Sequence, residues 1–178
     1  MDDIVNGFEA ITWGTWEKIY EPGDTVIIAT GTMVQTALEV YEKMKGMTSV
    51  AVINARFVKP LDKEMLLYCQ KKYKNIISVE ENVLRGGLGQ VIGAYLKENN
   101  YAGSFHAFGL PDKFVTHGNR KILLDEIGLN AASIINYIEQ IEDESAIGHG
   151  KLTFRQNIIA KFSNSNRLLK RQTGSARD

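Results

Sequence analysis

Glycines and charged side chains follow three apolar segments of this sequence, and such residue types could bind a ligand or move a proton. Gly31 and Thr32 follow the first segment, Arg56 and Lys59 the second, and Glu80 the third. Glycine lets backbone N–H groups converge on an anion. Arginine and lysine pair with phosphate, and carboxylates act as general acids or bases. The pattern allows anion binding or proton transfer but contains no complete catalytic set.

A repeated order of apolar strand, polar loop and helical pattern must position these residues. The strand patterns are Thr25–Ala29, Ser49–Asn54, Ile76–Val79 and Ser104–Phe108. Helical patterns follow at residues 33–45, from Asp62 onward, at 88–98, at 119–126 and at 131–144. This alternation predicts a doubly wound α/β domain, and such domains place their working groups at the carboxyl ends of the strands.

Local signals at the ends of these elements add three expectations. Glu17–Tyr20 alternates like a short strand and is predicted to form an edge hairpin with Thr25–Ala29 across the turn at 21–24. Asp62 is predicted to be the N-cap of its helix. Asn130 is predicted to cap the last helix.

The glycine-rich turns have structural explanations beside the functional ones. Packing of a helix on a strand is the favoured explanation of the Gly31 turn, ahead of an anion site. Gly86 and Gly87 open a helix as a dinucleotide-binding loop does, but no acidic residue stands about 20 positions on. Close packing of the backbone against a neighbouring domain is the favoured reason for these glycines.

The charged candidates are also open to two interpretations. On an extended strand Glu80 and Glu81 point to opposite faces, so they form no close acid–base pair. One is expected at a domain interface and the other in solvent. Arg56 and Lys59 either bind phosphate or pair with the glutamates. The three histidines lack metal-ligand spacing, and no metal site is expected.

Length and composition restrict the class of protein. The 178 residues suit one domain with some extra chain. A single cysteine, Cys69, excludes an intramolecular disulfide framework. No apolar run approaches the ~18 residues of a membrane span, and the acidic Met1-Asp2-Asp3 start is unlike a signal peptide. We expect a cytoplasmic protein without membrane contact.

Charge is distributed unevenly along the chain. Residues 1–145 carry a net charge of −6 and residues 146–178 a net charge of +6. We expect residues 1–16 to be an incoming linker, 17–144 the folded domain, and 145–178 a basic, partly disordered tail. The basic residues of the tail are spread out and lack interleaved aromatics, so nucleic-acid binding is not expected.

From about Asn6 to Glu144 the sequence resembles the C-terminal domain of the 1-deoxy-D-xylulose-5-phosphate synthase family, in the transketolase superfamily. The segments that carry the resemblance are Ile27–Val34, Asn54–Asp62, Glu80–Asn82, Gly86–Gly89 and Gly109–Phe114. The second and the last of these separate the synthase family from ordinary transketolases. The resemblance implies a three-layer fold, with a mixed, mostly parallel sheet flanked by helices.

The resemblance also implies what the parent enzyme does. Enzymes of this family join pyruvate to glyceraldehyde 3-phosphate and release carbon dioxide, using thiamine diphosphate and Mg²⁺. Their diphosphate and metal are held by a Gly-Asp-Gly motif in the first domain. Here the only Gly-Asp is Gly23-Asp24, in a turn. The resemblance therefore implies no catalytic, cofactor-binding or metal-binding residue in this chain, which is expected to be inactive alone.

The role implied for such a third domain is packing on the first two domains and formation of a homodimer. The residues placed at or near a domain or subunit interface by this analogy are Arg56, Glu80, Glu81, Asn82, Gly86 and Gly87. Three alternatives stay open. The first is the equivalent domain of a transketolase or of a 2-oxo acid dehydrogenase beta subunit. The second is a free-standing module that binds an anionic metabolite in the strand-end cleft. The third is an interaction protein that acts through the basic tail.

Overall fold

A computed structural model describes residues 10–148 except Pro22, Val115 and Thr116, with the side chains of 146–148 also left undescribed. The first nine residues of the predicted linker, His149 and nearly all of the predicted basic tail lie outside the described residues. Among the described residues, none of the helices is long and apolar enough to cross a membrane.

Five strands form one mixed sheet in the described part of the chain. They are β1 (Glu17–Tyr20), β2 (Thr25–Ala29), β3 (Val50–Asn54), β4 (Asn75–Val83) and β5 (Ser104–Leu110). Their spatial order is β1-β3-β2-β4-β5. Strands β2 to β5 are parallel to their neighbours, and β1 runs antiparallel to β3. The mixed, mostly parallel sheet that the resemblance implied is confirmed.

The predicted hairpin between the first two strands is wrong. Strand β1 pairs with β3, with Glu17 opposite Asn54, and β2 lies between β3 and β4. Every residue of β2 is buried, whereas β1 is only partly buried. A continuous apolar strand is most stable with parallel neighbours on both sides, and this leaves the edge of the sheet to the more polar β1.

Helices cover both faces of the sheet. The first four helices in chain order are α1 (Met33–Met44), α2 (Lys63–Lys72), α3 (Leu88–Glu98) and α4 (Arg120–Glu126). Val26 and Ile28 of β2 join the core that includes residues of α2 and α3. Ile27 points to the opposite face by strand alternation, and α1 covers that side. A further helix, α5 (Ala131–Gly148), belongs to a second compact unit that begins at Ala132.

Trp16 belongs to the core although it lies in the segment predicted to be a linker. Its side chain is 4% exposed. The backbone N–H of Trp16 donates to Asp62 Oδ2 at 2.7 Å, and its indole Nε1–H donates to the carbonyl oxygen of Phe57 at 2.8 Å. Asp62 Oδ1 accepts from the Met65 N–H at 2.9 Å, which confirms the predicted N-cap of α2. Packing therefore begins before β1.

Replacing Asp62 by alanine is expected to lower the free energy of unfolding by about 2–3 kcal/mol, because one carboxylate both caps a helix and holds Trp16. Denaturant unfolding followed by circular dichroism measures the change. Asp62→Asn keeps one acceptor oxygen and should lose clearly less. Equal losses for the two variants would contradict the double role of the carboxylate.

Candidate functional site

Strand β4 carries the two adjacent glutamates to opposite faces of the sheet. It extends to Val83, beyond the predicted end at Val79, so Glu80 and Glu81 lie within the strand. Ile76 packs in the core beside α2 and α3, and Glu80 shares its face by alternation. Glu81 points to the side of α1. The predicted divergence of the two carboxylates is confirmed, and an acid–base pair between them is impossible.

Glu80 is a buried carboxylate that caps a helix from a distance in sequence. Its residue is 1% exposed. Oε2 accepts from the Leu88 N–H and Oε1 from the Gly89 N–H, each at 2.8 Å. The first N–H groups of a helix have no partner within the helix, and the helix dipole favours a negative charge there. Glu80 therefore stabilises the start of α3.

Gly87 leaves room for this carboxylate, and Gly89 leaves room for side chains of the two strands beneath it. A Cβ on Gly87 would lie 2.4 Å from Glu80 Oε2. A Cβ on Gly89 would lie 2.7 Å from the Ala107 side chain and 2.8 Å from Ser78 Oγ. These close approaches occur inside the domain. The contact with Glu80 gives Gly87 a reason within the domain, and its placement near a neighbouring domain stays a prediction.

Glu81 forms a second polar cluster at the same edge of the sheet, with Thr32 and Arg120. Arg120 Nε donates to Glu81 Oε1 at 2.7 Å, and its Nη2 donates to Oε2 in a second, shorter contact. The Thr32 hydroxyl donates to Glu81 Oε2 at 2.6 Å and accepts from Arg120 Nη2 at 3.0 Å. The cluster ties together the end of β4, the start of α1 and the start of α4.

The Arg120 guanidinium lowers the pKa of the Glu81 carboxyl below its ordinary value of 4.5, and the Thr32 hydroxyl adds to this effect. A carboxyl whose native pKa is lowered contributes stability above its unfolded pKa and loses it as the pH falls through the native value. The contribution of Glu81 is therefore complete near neutral pH and disappears in acid.

We expect Glu81→Gln to lower the free energy of unfolding by about 1 kcal/mol at pH 7, since the pair is partly exposed. Below pH 4.5 the difference from the unchanged protein should shrink toward zero. Unfolding titrations from pH 7 to pH 3 measure it. Arg120→Gln should show the same pH dependence, and the double variant should lose little more than either single one. A difference that is independent of pH would contradict this assignment.

Arg56 pairs with neither predicted glutamate. Its Nη2 lies 2.7 Å from Glu17 Oε1, and Asn54 Nδ2 donates to the other oxygen of the same carboxylate at 3.2 Å. The pair lies where β1 meets the end of β3. Lys59 is exposed, next to a cis peptide bond to Pro60, and no polar contact of its side chain is recorded among the described residues. Arg56 is therefore paired within the domain, and phosphate binding by Arg56 and Lys59 stays an open alternative.

The remaining candidates are turn and loop residues. Gly31 has φ +59°, and a Cβ added at this position would meet no atom within 4 Å. Gly86 has φ +79°, and its N–H donates to Gln90 Oε1 at 2.6 Å. Asn82 is exposed, and its side-chain oxygen accepts from the N–H of the next residue, Val83. Their placement at a domain or subunit interface stays a prediction.

The described residues do not fit a diphosphate–metal site. No cluster of three metal-ligating side chains exists among them. The one Gly-Asp pair lies in a turn, where Asp24 binds Lys74 at 2.5 Å. Glu80 and Glu81 are both engaged within the domain. Burial raises the pKa of the Cys69 thiol to about 12, which leaves it unreactive near neutral pH.

Sequence reasoning missed the partners that complete both polar clusters. Arg120 is 39 positions from Glu81, and Glu17 is 39 positions from Arg56. Only the position of Arg120, directly after Asn119 at the start of a predicted short helix, hints at a fixed orientation. The Asn119 side chain caps that helix by accepting from the Lys121 N–H at 3.0 Å.

The sheet order, the antiparallel edge strand and the helix cover define a class of domain. Residues 14–134 match the model of the transketolase C-terminal domain family, and the chain belongs to this family.

Curated relatives specify the resemblance further. The chain is 37% identical over 145 residues to the 1-deoxy-D-xylulose-5-phosphate synthase of Listeria innocua, covering 80% of this chain and 23% of that protein. It is 40% identical over 130 residues to the synthase of a Geobacillus species, covering 72% of this chain and 21% of that protein. The chain thus spans between a fifth and a quarter of these relatives' length.

Solved structures agree in fold. A split-gene transketolase, described as an inactive β4 tetramer, superposes with a TM-score of 0.66 at 26% identity, covering 73% of this chain and 43% of that one. A transketolase of Pichia stipitis superposes with a TM-score of 0.53 at 17% identity, covering 78% of this chain and 19% of that one. The second similarity concerns the fold alone.

Proposed function

We propose that this chain is the C-terminal domain of a 1-deoxy-D-xylulose-5-phosphate synthase and that it acts in domain packing and dimerisation. The observation that carries the proposal is the identity of 37–40% to synthases of that name over most of the chain. The complete enzyme joins pyruvate to glyceraldehyde 3-phosphate, releases carbon dioxide and supplies isoprenoid, thiamine and pyridoxal phosphate synthesis. We place it in the cytoplasm as a homodimer.

The polar groups at the carboxyl edge of the sheet support a structural role. Glu80 binds the start of α3, Glu81 binds Arg120, and Arg56 binds Glu17. Groups engaged in this way hold elements in position and are poorly placed to exchange protons with a substrate. Thiamine diphosphate and Mg²⁺ are assigned to the other domains of the enzyme, which supply the chemistry.

The proposal is tested by activity and by the size of the native polypeptide. The chain alone, supplied with pyruvate, glyceraldehyde 3-phosphate, thiamine diphosphate and Mg²⁺, should form no product. An immunoblot of the source cell should show a band at roughly three and a half times the mass of this chain, because the 145 matched residues make up 23% of a relative. Product formation by the chain alone would overturn the structural role. A band near 20 kDa would mean that the domain is a separate subunit.

The split-gene neighbour favours one alternative, a separate C-terminal subunit of a transketolase-like enzyme. The two functions differ in substrate. This chain should restore activity with pyruvate and glyceraldehyde 3-phosphate when it is joined to the remaining domains of a synthase. Restoration only with the remaining part of a transketolase, and only with sugar-phosphate donors, would favour the alternative.

A further inference from the structure

An apolar surface patch lies at the carboxyl edge of the sheet, at the loop between β3 and α2. It consists of Trp13, Phe57, Val58 and Pro60, together with the exposed Ile11 two residues before Trp13 in the sequence, and we call it the tryptophan patch. Trp13 is 73% exposed, Ile11 61% and Val58 37%. Large apolar side chains that lie together in solvent mark a surface that another protein covers.

Two contacts attach the patch to the domain beneath it. The rings of Trp13 and Phe57 meet edge to face with their centroids 5.0 Å apart. The Phe57 carbonyl accepts the indole N–H of the buried Trp16 at 2.8 Å. A preorganised aromatic surface loses little conformational entropy on binding.

Backbone geometry joins the two segments of the patch. Gly14 has φ +76°, and a Cβ at this position would lie 2.8 Å from Pro60 Cγ. The Trp16 N–H binds Asp62 at the end of the same loop. The segment before β1 is therefore pressed against the β3–α2 loop, with Trp13 facing out.

We infer that the tryptophan patch is the surface on which the preceding domain of the same polypeptide docks. This inference rests on the proposed function, in which further domains supply the chemistry. A C-terminal domain is joined to the rest of its chain through its amino end, and here that end passes directly across the patch, since Ile11 and Trp13 belong to it. The domain linked there is held at high effective concentration beside this surface.

Charged groups border the patch in the manner of an interface rim. Arg56, paired with Glu17, directly precedes Phe57, and the exposed Lys59 follows Val58. An apolar centre with aromatic residues and a polar border is typical of specific protein interfaces. The facing surface of the preceding domain is therefore expected to offer an apolar depression that accepts Trp13, with an acidic group opposite Lys59.

Hydroxyl-radical footprinting of a chimera tests the inference. The full chain replaces the matched segment of the Listeria innocua synthase, and side-chain oxidation is compared with that of the chain alone. Trp13 should become protected about tenfold, because the centre of an interface excludes water. The buried Trp16 and the exposed Met47, at the opposite edge of the sheet, should keep their reactivity and serve as internal controls.

Substitutions of matched exposure complete the test. Val58→Asp should restore the oxidation of Trp13 in the chimera, whereas Leu67→Asp on α2, at 40% exposure against 37%, should leave the protection intact. The stability of the isolated chain should change little with either variant. Loss of folding would then not explain the renewed oxidation of Trp13 in the Val58→Asp chimera.

Enzyme activity of the chimera tests the proposed function, whereas the footprint tests the docking of the preceding domain on the tryptophan patch. An active chimera in which Trp13 stays reactive would overturn the docking surface and leave the proposed function standing. An inactive chimera with Trp13 protected would support docking and contradict the proposed function. Protection of Trp13 in the isolated chain that rises with concentration would assign the patch to a second copy and overturn the inference.

Discussion

Gly87→Ala should destabilise the protein by about 2–4 kcal/mol, although the backbone angles of this residue are open to alanine. Gly87 has no positive φ, so strain is not the reason. The new Cβ would lie 2.4 Å from one carboxylate oxygen of Glu80 and 2.6 Å from the other. Glu80 can yield only by leaving the N–H groups of Leu88 and Gly89, which would then be buried without partners.

Equilibrium unfolding in urea measures this change, with Gly118→Ala as the matched control. Gly118 also lacks a positive φ, and a Cβ there would meet Leu123 at an ordinary distance of 3.5 Å. Its substitution should change stability by no more than about 0.5 kcal/mol. A Gly87→Ala protein as stable as Gly118→Ala would show that the carboxylate is free to move and is not required at the start of α3.

Glu80→Gln is expected to cost about 2–4 kcal/mol, even though it changes one oxygen into an amino group of nearly the same size. The carboxylate accepts two backbone hydrogen bonds, one on each oxygen. A glutamine amide offers a single acceptor, so its NH₂ group would face either Leu88 N–H or Gly89 N–H as donor against donor. The substitution also removes the negative charge from the start of α3.

The neighbouring residue supplies the comparison for this variant. Glu81→Gln alters a carboxylate in the same strand, but a partly exposed one, whose partners can turn to water. Its cost at pH 7 should therefore be clearly smaller than that of Glu80→Gln. Amide hydrogen exchange should locate the Glu80→Gln effect in the first turn of α3. An equal cost for the two variants, or exchange unchanged in that turn, would contradict the capping role.

The core elements were predictable because local signals agree with the fold around them. Helix α3 has the predicted bounds, Leu88–Glu98, with glycine before it and Asn99 after it. Strand β2 is apolar from Val26 to Ala29 and is buried along its whole length, as such a run requires. Asp62 caps α2 because a carboxylate directly before a helix can accept a hydrogen bond from a backbone N–H of the first turn.

Non-local pairing explains what sequence reasoning got wrong. The apolar run of β4 ends at Val79, and Glu80 looks like a strand end because a carboxylate is rarely buried alone. Its burial depends on two N–H groups that come eight and nine residues later, at the start of α3. Likewise, nothing in the turn after Tyr20 indicates that β1 passes beside β3. Both features are decided by which elements meet in space.

The pairing of β1 has a consequence for the order in which a ribosome-bound chain can assemble. Strand β1 is synthesised first, yet its neighbour β3 is completed only at Asn54 and the carboxylate that holds Trp16 arrives only at Asp62. Until then the first strand has no edge to join, and closing the intervening loop carries an entropic cost. The amino-terminal strand therefore docks late, after the β2–β3 layer has formed. A domain synthesised before β1 can pack against this domain only after β1 has docked beside β3.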